Sequence, residues 1–298
     1  MAFGVSPGNP GYTGNFIPEI WSGKLIENFY DASVLAAISN TDYQGDIKSM
    51  GDTVNIRTTP EITIKTYVKG QTLSVENPKL QLLIDKGEYF ACVEDDVDQV
   101  QTDIALMDTW SKDASERMKI KIDARVLTDI LTDVAAANKG ATAGRISADL
   151  NIGVASTPVA ITKTNAIDQI VNMGTVLDEA NCPESDRFIV IPAKMAGHIK
   201  LSDLKDASIT GDGSSPLRNG RLGMIDRFTI YVSHNLYKSG SEFSILAGHK
   251  SGFTFASQMT NMETIRSETT FGNIIRGLQV YGYKVVKPEA LAVGVITV

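Results

Sequence analysis

The sequence predicts an α+β chain, and three stretches carry that prediction. Phe271 to Val298 reads as a long, regular strand, a proline stop and a second apolar strand. Val97 to Asn138 places apolar side chains at helical spacing with no Gly or Pro between them. Residues 54–94 are rich in β-branched residues and alternate apolar with polar, the period of a half-buried strand.

Taken in order, Met1 to Glu19 holds Gly4, Pro7, Gly8, Pro10, Gly11, Gly14 and Pro18 and one charged side chain. Such an arm cannot bury a core of its own, so it is either disordered or lies on something else. Ile20 to Ser39 follows as a short amphipathic segment, with Leu25, Ile26, Phe29 and Leu35 at helix-like spacing. Next come strand-like runs at Val54–Thr58, Ile62–Val68 and Lys79–Glu94. With Lys65, Lys69 and Lys79 near the tips, they describe a protruding β-hairpin too narrow to have two covered faces.

In the helical stretch the apolar positions are Ile104, Met107, Trp110, Ala114, Met118, Ile122, Val126, Ile130 and Val134. Asp96 with Gln99 forms a plausible capping box, and Asn138-Lys139-Gly140 a plausible stop. About forty residues at 1.5 Å each predict a rod of roughly 60 Å, a spine rather than an ordinary helix. Gly140–Thr164 reads as loop. A helix is then expected over Asn165–Ala180, a buried strand over Arg187–Pro192 and a short helix over Ala193–Leu201. Ser208–Gly223 reads as an exposed loop, and further strands follow at Phe228–Ser233, Phe243–Ala247 and Gly252–Ala256.

Composition narrows the function classes. The 298 residues include 43% hydrophobic and 21% charged side chains, enough for a sizeable core. No apolar run approaches a membrane span, and the N-terminus does not resemble a signal peptide. The formal charge of −7 argues against a chain that grips nucleic acid, though an acidic protein can still enclose it. Cys92 and Cys182 belong to no metal motif and are expected as free thiols.

Candidate chemistry is thin. Glu94, Asp95, Asp96 and Asp98 lack the glycines of a calcium loop, and they fit better as helix-start carboxylates. His198, His234 and His249 have no ligand spacing, no GxSxG occurs, and Gly211–Ser215 lacks the ending of a phosphate loop. No catalytic, cofactor or metal residues are assigned. Arg117, Lys121 and Arg125, four residues apart, make one basic stripe on the spine helix, with Asp113, Glu116, Asp123 and Asp129 around it to neutralise it. An arm that needs a neighbour, with no catalytic signature after it, points to a building block rather than an enzyme.

This order of arm, hairpin, long helix, α/β lobe and returning strands resembles the major capsid proteins of tailed bacteriophages, the fold first seen in a Hong Kong phage. Three stretches sharpen the likeness to the branch of the Salmonella podovirus coat protein. They are Leu83-Ile84-Asp85-Lys86 through Asp95-Asp96-Val97, then Gly220 to Leu236, then Glu263–Glu268 with Phe271-Gly272, Arg276–Gly282 and Val285–Leu291.

The resemblance implies an N-terminal arm over residues 1–33 and an extended loop over 51–95 lying on the neighbouring subunit. It implies a peripheral domain over 34–164 and 258–298, containing a spine helix at 97–138, and an axial domain over 165–257. There is no room for a large insertion domain. Phe16, Trp21, Lys65, Tyr67, Lys69 and Glu76 become candidate inter-subunit contacts, and Arg117, Lys121 and Arg125 a lumen-facing stripe. Lys69 is chemically eligible for a Lys–Asn crosslink, but no acceptor or catalytic carboxylate is identifiable and none is expected.

The implied protein is a major capsid protein that assembles through hexamers and pentamers into an icosahedral shell around double-stranded DNA, in the virion and, during assembly, the host cytoplasm. Its implied partners are itself, a scaffolding protein, a portal, a cement protein, and packaged DNA held weakly and without sequence preference. No membrane or cofactor is implied. The same fold builds cellular nanocompartments, and a solitary hydrolase using His234 or His198 is a third reading.

Overall fold

The computed structural model describes residues 33–42, 53–57, 66, 79–95, 106–202, 223–267 and 271–298. After a four-residue helix α1 (Leu35–Ile38) come strands β1 (Thr53–Arg57), β2 (Lys79–Leu83) and β3 (Lys86–Asp95), then helix α2 (Leu106–Asp129). A lobe follows: β4 (Val159–Ala160), α3 (Ala166–Glu179), β5 (Arg187–Ile191), α4 (Ala193–Leu201), β6 (Met224–Ile225), β7 (Phe228–Val232), β8 (Lys238–Ser239) and β9 (Glu242–His249). Two fourteen-residue strands, β10 (Phe253–Arg266) and β11 (Gly272–Val285), precede the last strand, β12 (Leu291–Thr297).

The lobe's sheet runs β4-β12-β9-β5-β7-β6, with β8 on the side of β9. It is covered on both faces. Along β5, Ile189 and Ile191 enter a core with Ile170, Met173 and Leu177 of α3 and Met195 and Ile199 of α4. The alternate residues Phe188 and Val190 enter a second core with Ile122, Val126 and Leu127 of α2 and with Phe253 and Tyr281. All five β5 residues are buried, Arg187 and the apolar run Phe188–Ile191, as expected of a central strand paired in parallel with β7. Phe188 and Phe253 meet edge to face at 6.3 Å between ring centres, joining the lobe to the long strands.

The long strands form a second sheet, β10-β11-β3, against which α2 lies. A register shift between Met259 and Asn261 marks a bulge in β10. The hairpin β1–β2 stands apart as a two-stranded unit. It has one covered face, where Ile56, Leu82 and Ile84 pack on Ala256 and Val280.

Four expectations change. The helix ends at Asp129, not Asn138, so its 24 described residues span about 36 Å. Beyond it, Thr132 Oγ1 donates to the Asp129 carbonyl (2.9 Å), and Asn138 Nδ2 donates to the carbonyls of Glu289 (2.7 Å) and Leu291 (2.9 Å), drawing the chain onto the C-terminal strand. Ile130 and Val134 keep the buried spacing from a turn rather than a helix.

The expected run Lys79–Glu94 is two strands in different sheets, broken at Ile84-Asp85. Glu94 and Asp95 close β3, opposite Asn273 and Gly272, instead of opening a helix. The lobe's sheet also recruits β4 and β12 from outside residues 165–257, because β12 alternates its side chains into both cores: Ala292 and Ile296 into one, Leu291 and Val293 into the other. The capping box, the strand at Ile62–Val68 apart from the exposed Thr66, and the loop before Gly223 lie outside the described residues.

Candidate functional site

The functional feature is a surface, built where α2 crosses the β10-β11-β3 sheet. Strand alternation sends Lys86, Glu88, Phe90 and Cys92 towards α2 and leaves Tyr89, Ala91 and Val93 exposed on the opposite face. Glu88 is the hinge of a polar ladder. Its Oε2 lies 2.5 Å from Lys121 Nζ, and its Oε1 accepts from Arg125 NH1 at 3.2 Å. Arg125 also reaches Asp129 (3.9 Å), which receives the Tyr283 hydroxyl, and Lys86 Nζ sits 4.7 Å over the Tyr283 ring. The Lys121 and Arg125 cations hold the Glu88 carboxyl below its ordinary range. Burial, reinforced by Asp129, pushes the Tyr283 phenol up.

Beside the ladder, a groove of about 550 Å³ runs between β3 and α2. Phe90, Cys92, Trp110 and Met118 give it an apolar lining, and Asp113, Arg117 and Lys121 a charged rim. On the far face of the sheet, Tyr89 (79% exposed) and Val93 stand in register with Leu278 and Ile274, around a Glu263–Arg276 pair at 2.6 Å. Such a face, with exposed side chains and an outer strand edge, suits association rather than catalysis.

The expected basic stripe therefore divides. Arg117 pairs with Asp113 on its own helix (2.8 Å), whereas Lys121 and Arg125 are committed to Glu88 on β3. Asp123 does not neutralise the stripe as expected. It is fully buried and accepts hydrogen bonds from Ser33, Val34, Leu35 and Asn235. The sequence does carry a signal for this: Asp123 sits four residues before buried Leu127, in a second buried row beside Ile122 and Val126. Phe16, Trp21, Lys65, Tyr67, Lys69 and Glu76 lie outside the described residues.

Among the described residues, the hydroxyl that meets a histidine is that of Ser251, two residues from His249 in a local turn. His234 is exposed, and His249 Nδ1 lies 2.7 Å from Ser251 Oγ and accepts from the Ser251 amide (3.1 Å), closing a tight turn. Among the described residues no group of three His, Cys, Asp or Glu could hold a metal, and no helix is long and apolar enough to cross a membrane. Both cysteines are free.

Comparison with known proteins agrees with a surface built for association. A solved structure from Mycobacterium phage Che8 superposes with a TM-score of 0.75 at 26% identity, over 95% of this chain and 98% of that one. The capsid of cyanophage P-SCSP1u gives 0.66 at 15% identity, over 97% and 96%. The capsid of the native GTA particle gives 0.65 at 13%, over 96% and 97%. No curated protein sequence matches the chain. The family model described as phage capsid protein matches residues 79–294. That span takes in the ladder, the groove, the lobe and both long strands, and the chain belongs to the phage capsid protein family, a structural family rather than a catalytic one.

Proposed function

We propose that this chain is a major capsid protein that assembles through hexamers and pentamers into an icosahedral shell enclosing double-stranded DNA. The observation that carries the reading is the likeness over nearly the whole chain to phage capsid structures, combined with exposed Tyr89 and Val93 and an outer edge of β3 that no described strand pairs. In this reading α2 and the β10-β11-β3 sheet form the peripheral domain, and the lobe with α3 and α4 the axial domain at the capsomer centre. Residues 1–33 are the arm, and the extended loop over 51–95, with Phe16, Trp21, Lys65, Tyr67, Lys69 and Glu76, reaches neighbouring subunits.

The free energy of assembly comes from burying apolar surface between subunits, at roughly 25 cal/mol per Å². Lys121 and Arg125 spend much of their charge on Glu88, which supports weak, non-specific contact with enclosed DNA. The three sequence stretches ending in Val285–Leu291 support the branch of the Salmonella podovirus coat protein. Scaffolding, portal and cement proteins complete the partners, and the host cytoplasm is the site of assembly.

The test is negative-stain electron microscopy with light scattering, on the protein expressed alone and with the products of neighbouring genes. Closed polyhedral shells or capsomer rings are expected. Monodisperse monomer under every condition sinks the reading. Deleting Met1–Gly14 is expected to block shells while leaving a folded subunit, and normal shells from that deletion refute the arm's role.

A further inference from the structure

We propose that Asp123 is the positioning residue for the N-terminal arm, clamping the arm's root to the middle of α2 so that it leaves the subunit from one place in one direction. The inference rests on the assembly reading for its consequence, but its geometry stands alone. Asp123 Oδ1 accepts from the amides of Val34 and Leu35, both at 3.1 Å, and from Ser33 Oγ at 3.2 Å. Its Oδ2 accepts from Asn235 Nδ2 at 2.8 Å. One carboxylate thereby joins three segments: the residues that follow the arm, the long helix, and the turn after β7.

The donors at Val34 and Leu35 have no local alternative. A helix start leaves its first amides unpaired, and Val34 offers no side chain to cap α1. Asp123, 88 residues away from Leu35, does that work instead. Past α1, the Asn40 amide donates to the Phe253 carbonyl (3.1 Å) and the Asn40 carbonyl accepts from the Phe255 amide (3.1 Å). Val34, Leu35 and Ile38 are buried in the core beneath. Residues 34–40 are therefore held at both ends, by α2 and by β10.

An apolar residue would be cheaper at this position if packing were the only requirement. Burying a carboxylate is costly, and dipoles must compensate here because Lys121 and Arg125 are engaged by Glu88. His234, next to Asn235, is exposed, and no cation is among the groups that bond Asp123. A leucine would leave two amides and the Asn235 side chain unsatisfied. What the carboxylate adds is register. A pre-aimed arm loses less orientational freedom on docking, which lowers the concentration at which subunits associate.

The test pairs hydrogen exchange of unassembled subunits with the concentration threshold for shell formation by light scattering. In the wild type, amides 34–40 are expected to exchange at least a hundredfold slower than an unstructured chain. Asp123→Ala should cut that protection at least tenfold and raise the threshold at least tenfold, with exchange in β5 and β9 unchanged. Asp123→Asn keeps an acceptor for the Ser33–Leu35 donors, and the Asn235 amide can turn to meet it. It should restore both readouts to within about twofold.

Unprotected amides 34–40 in the wild type overturn the proposal without any variant, even if Asp123→Ala does not fold. So does wild-type exchange in Asp123→Ala, or lost protection with an unchanged threshold. If the wild type forms no shells at all, the assembly reading fails instead, and exchange still decides whether the clamp exists.

Discussion

Gly282 of β11 lies directly beneath Leu83 of β2, so that a Cβ on Gly282 would run into the Leu83 carbonyl oxygen, with Ile84 Cδ1 2.8 Å away. The hairpin β1–β2 crosses the long sheet at this point, and the missing side chain lets Leu82 and Ile84 reach Val280 and Ala256.

Gly282→Ala is therefore expected to lift the base of the hairpin. Overpacking of this kind costs about 2 kcal/mol. Urea denaturation should show a lower midpoint with an unchanged slope. A variant as stable as the wild type would mean that the hairpin base does not rest on Gly282 in solution.

Glu88 sets an acid limb. Its folded pKa lies below the ordinary value because Lys121 and Arg125 favour the carboxylate. The stability it contributes is present above the unfolded pKa, about 4.3, and is lost as pH falls through the lower folded value. Since Lys121 and Arg125 are 69% and 48% exposed, Glu88→Gln should cost only about 1 kcal/mol at pH 7, and less in high salt. Melting temperatures across pH 2–7 should differ between variant and wild type at the neutral end and converge at the acid end.

Arg187 is wholly buried and donates to the carbonyls of Pro183 (2.8 Å) and Cys182 (2.7 Å), with Asp178 2.7 Å from the same guanidinium. Removing Asp178 leaves that cation without its carboxylate. Asp178→Ala is expected to destabilise by about 3 kcal/mol, and Asp178→Ala with Arg187→Met by clearly less. Equal losses in the single and double variants, read by thermal melting, would count against the pair as the cause.

The two thiols should separate kinetically. Cys182 is buried, and burial pushes its thiol up, whereas Cys92 is half-buried beside the groove. Maleimide labelling of the native protein should reach Cys92 first, and Cys182 only once denaturant is added. Equal rates would show that the lobe opens readily.

Local patterns were legible wherever one element meets a single, continuous environment. Ala193–Leu201 matches its expected bounds, and Arg187–Ile191 and Ala166–Glu179 fall within a residue of theirs, because β5 is apolar from Phe188 on and α3 and α4 each bury one stripe. The helix from Leu106 was legible for the same reason, and the order of elements was enough to suggest the capsid family.

The tertiary structure alone decided where that helix stops, since Asn138 is drawn to the backbone at Glu289 and Leu291, 151 and 153 residues away. It alone parted β2 from β3, because their shared alternation does not say which sheet each strand joins. It alone turned Lys121 and Arg125 towards Glu88 and buried Asp123 under the root of the arm. Periodicity reports which face of an element avoids water, and the sequence determined that much. Which partner a polar side chain finds depends on segments more than 150 residues apart being brought together, and only the folded chain supplies that.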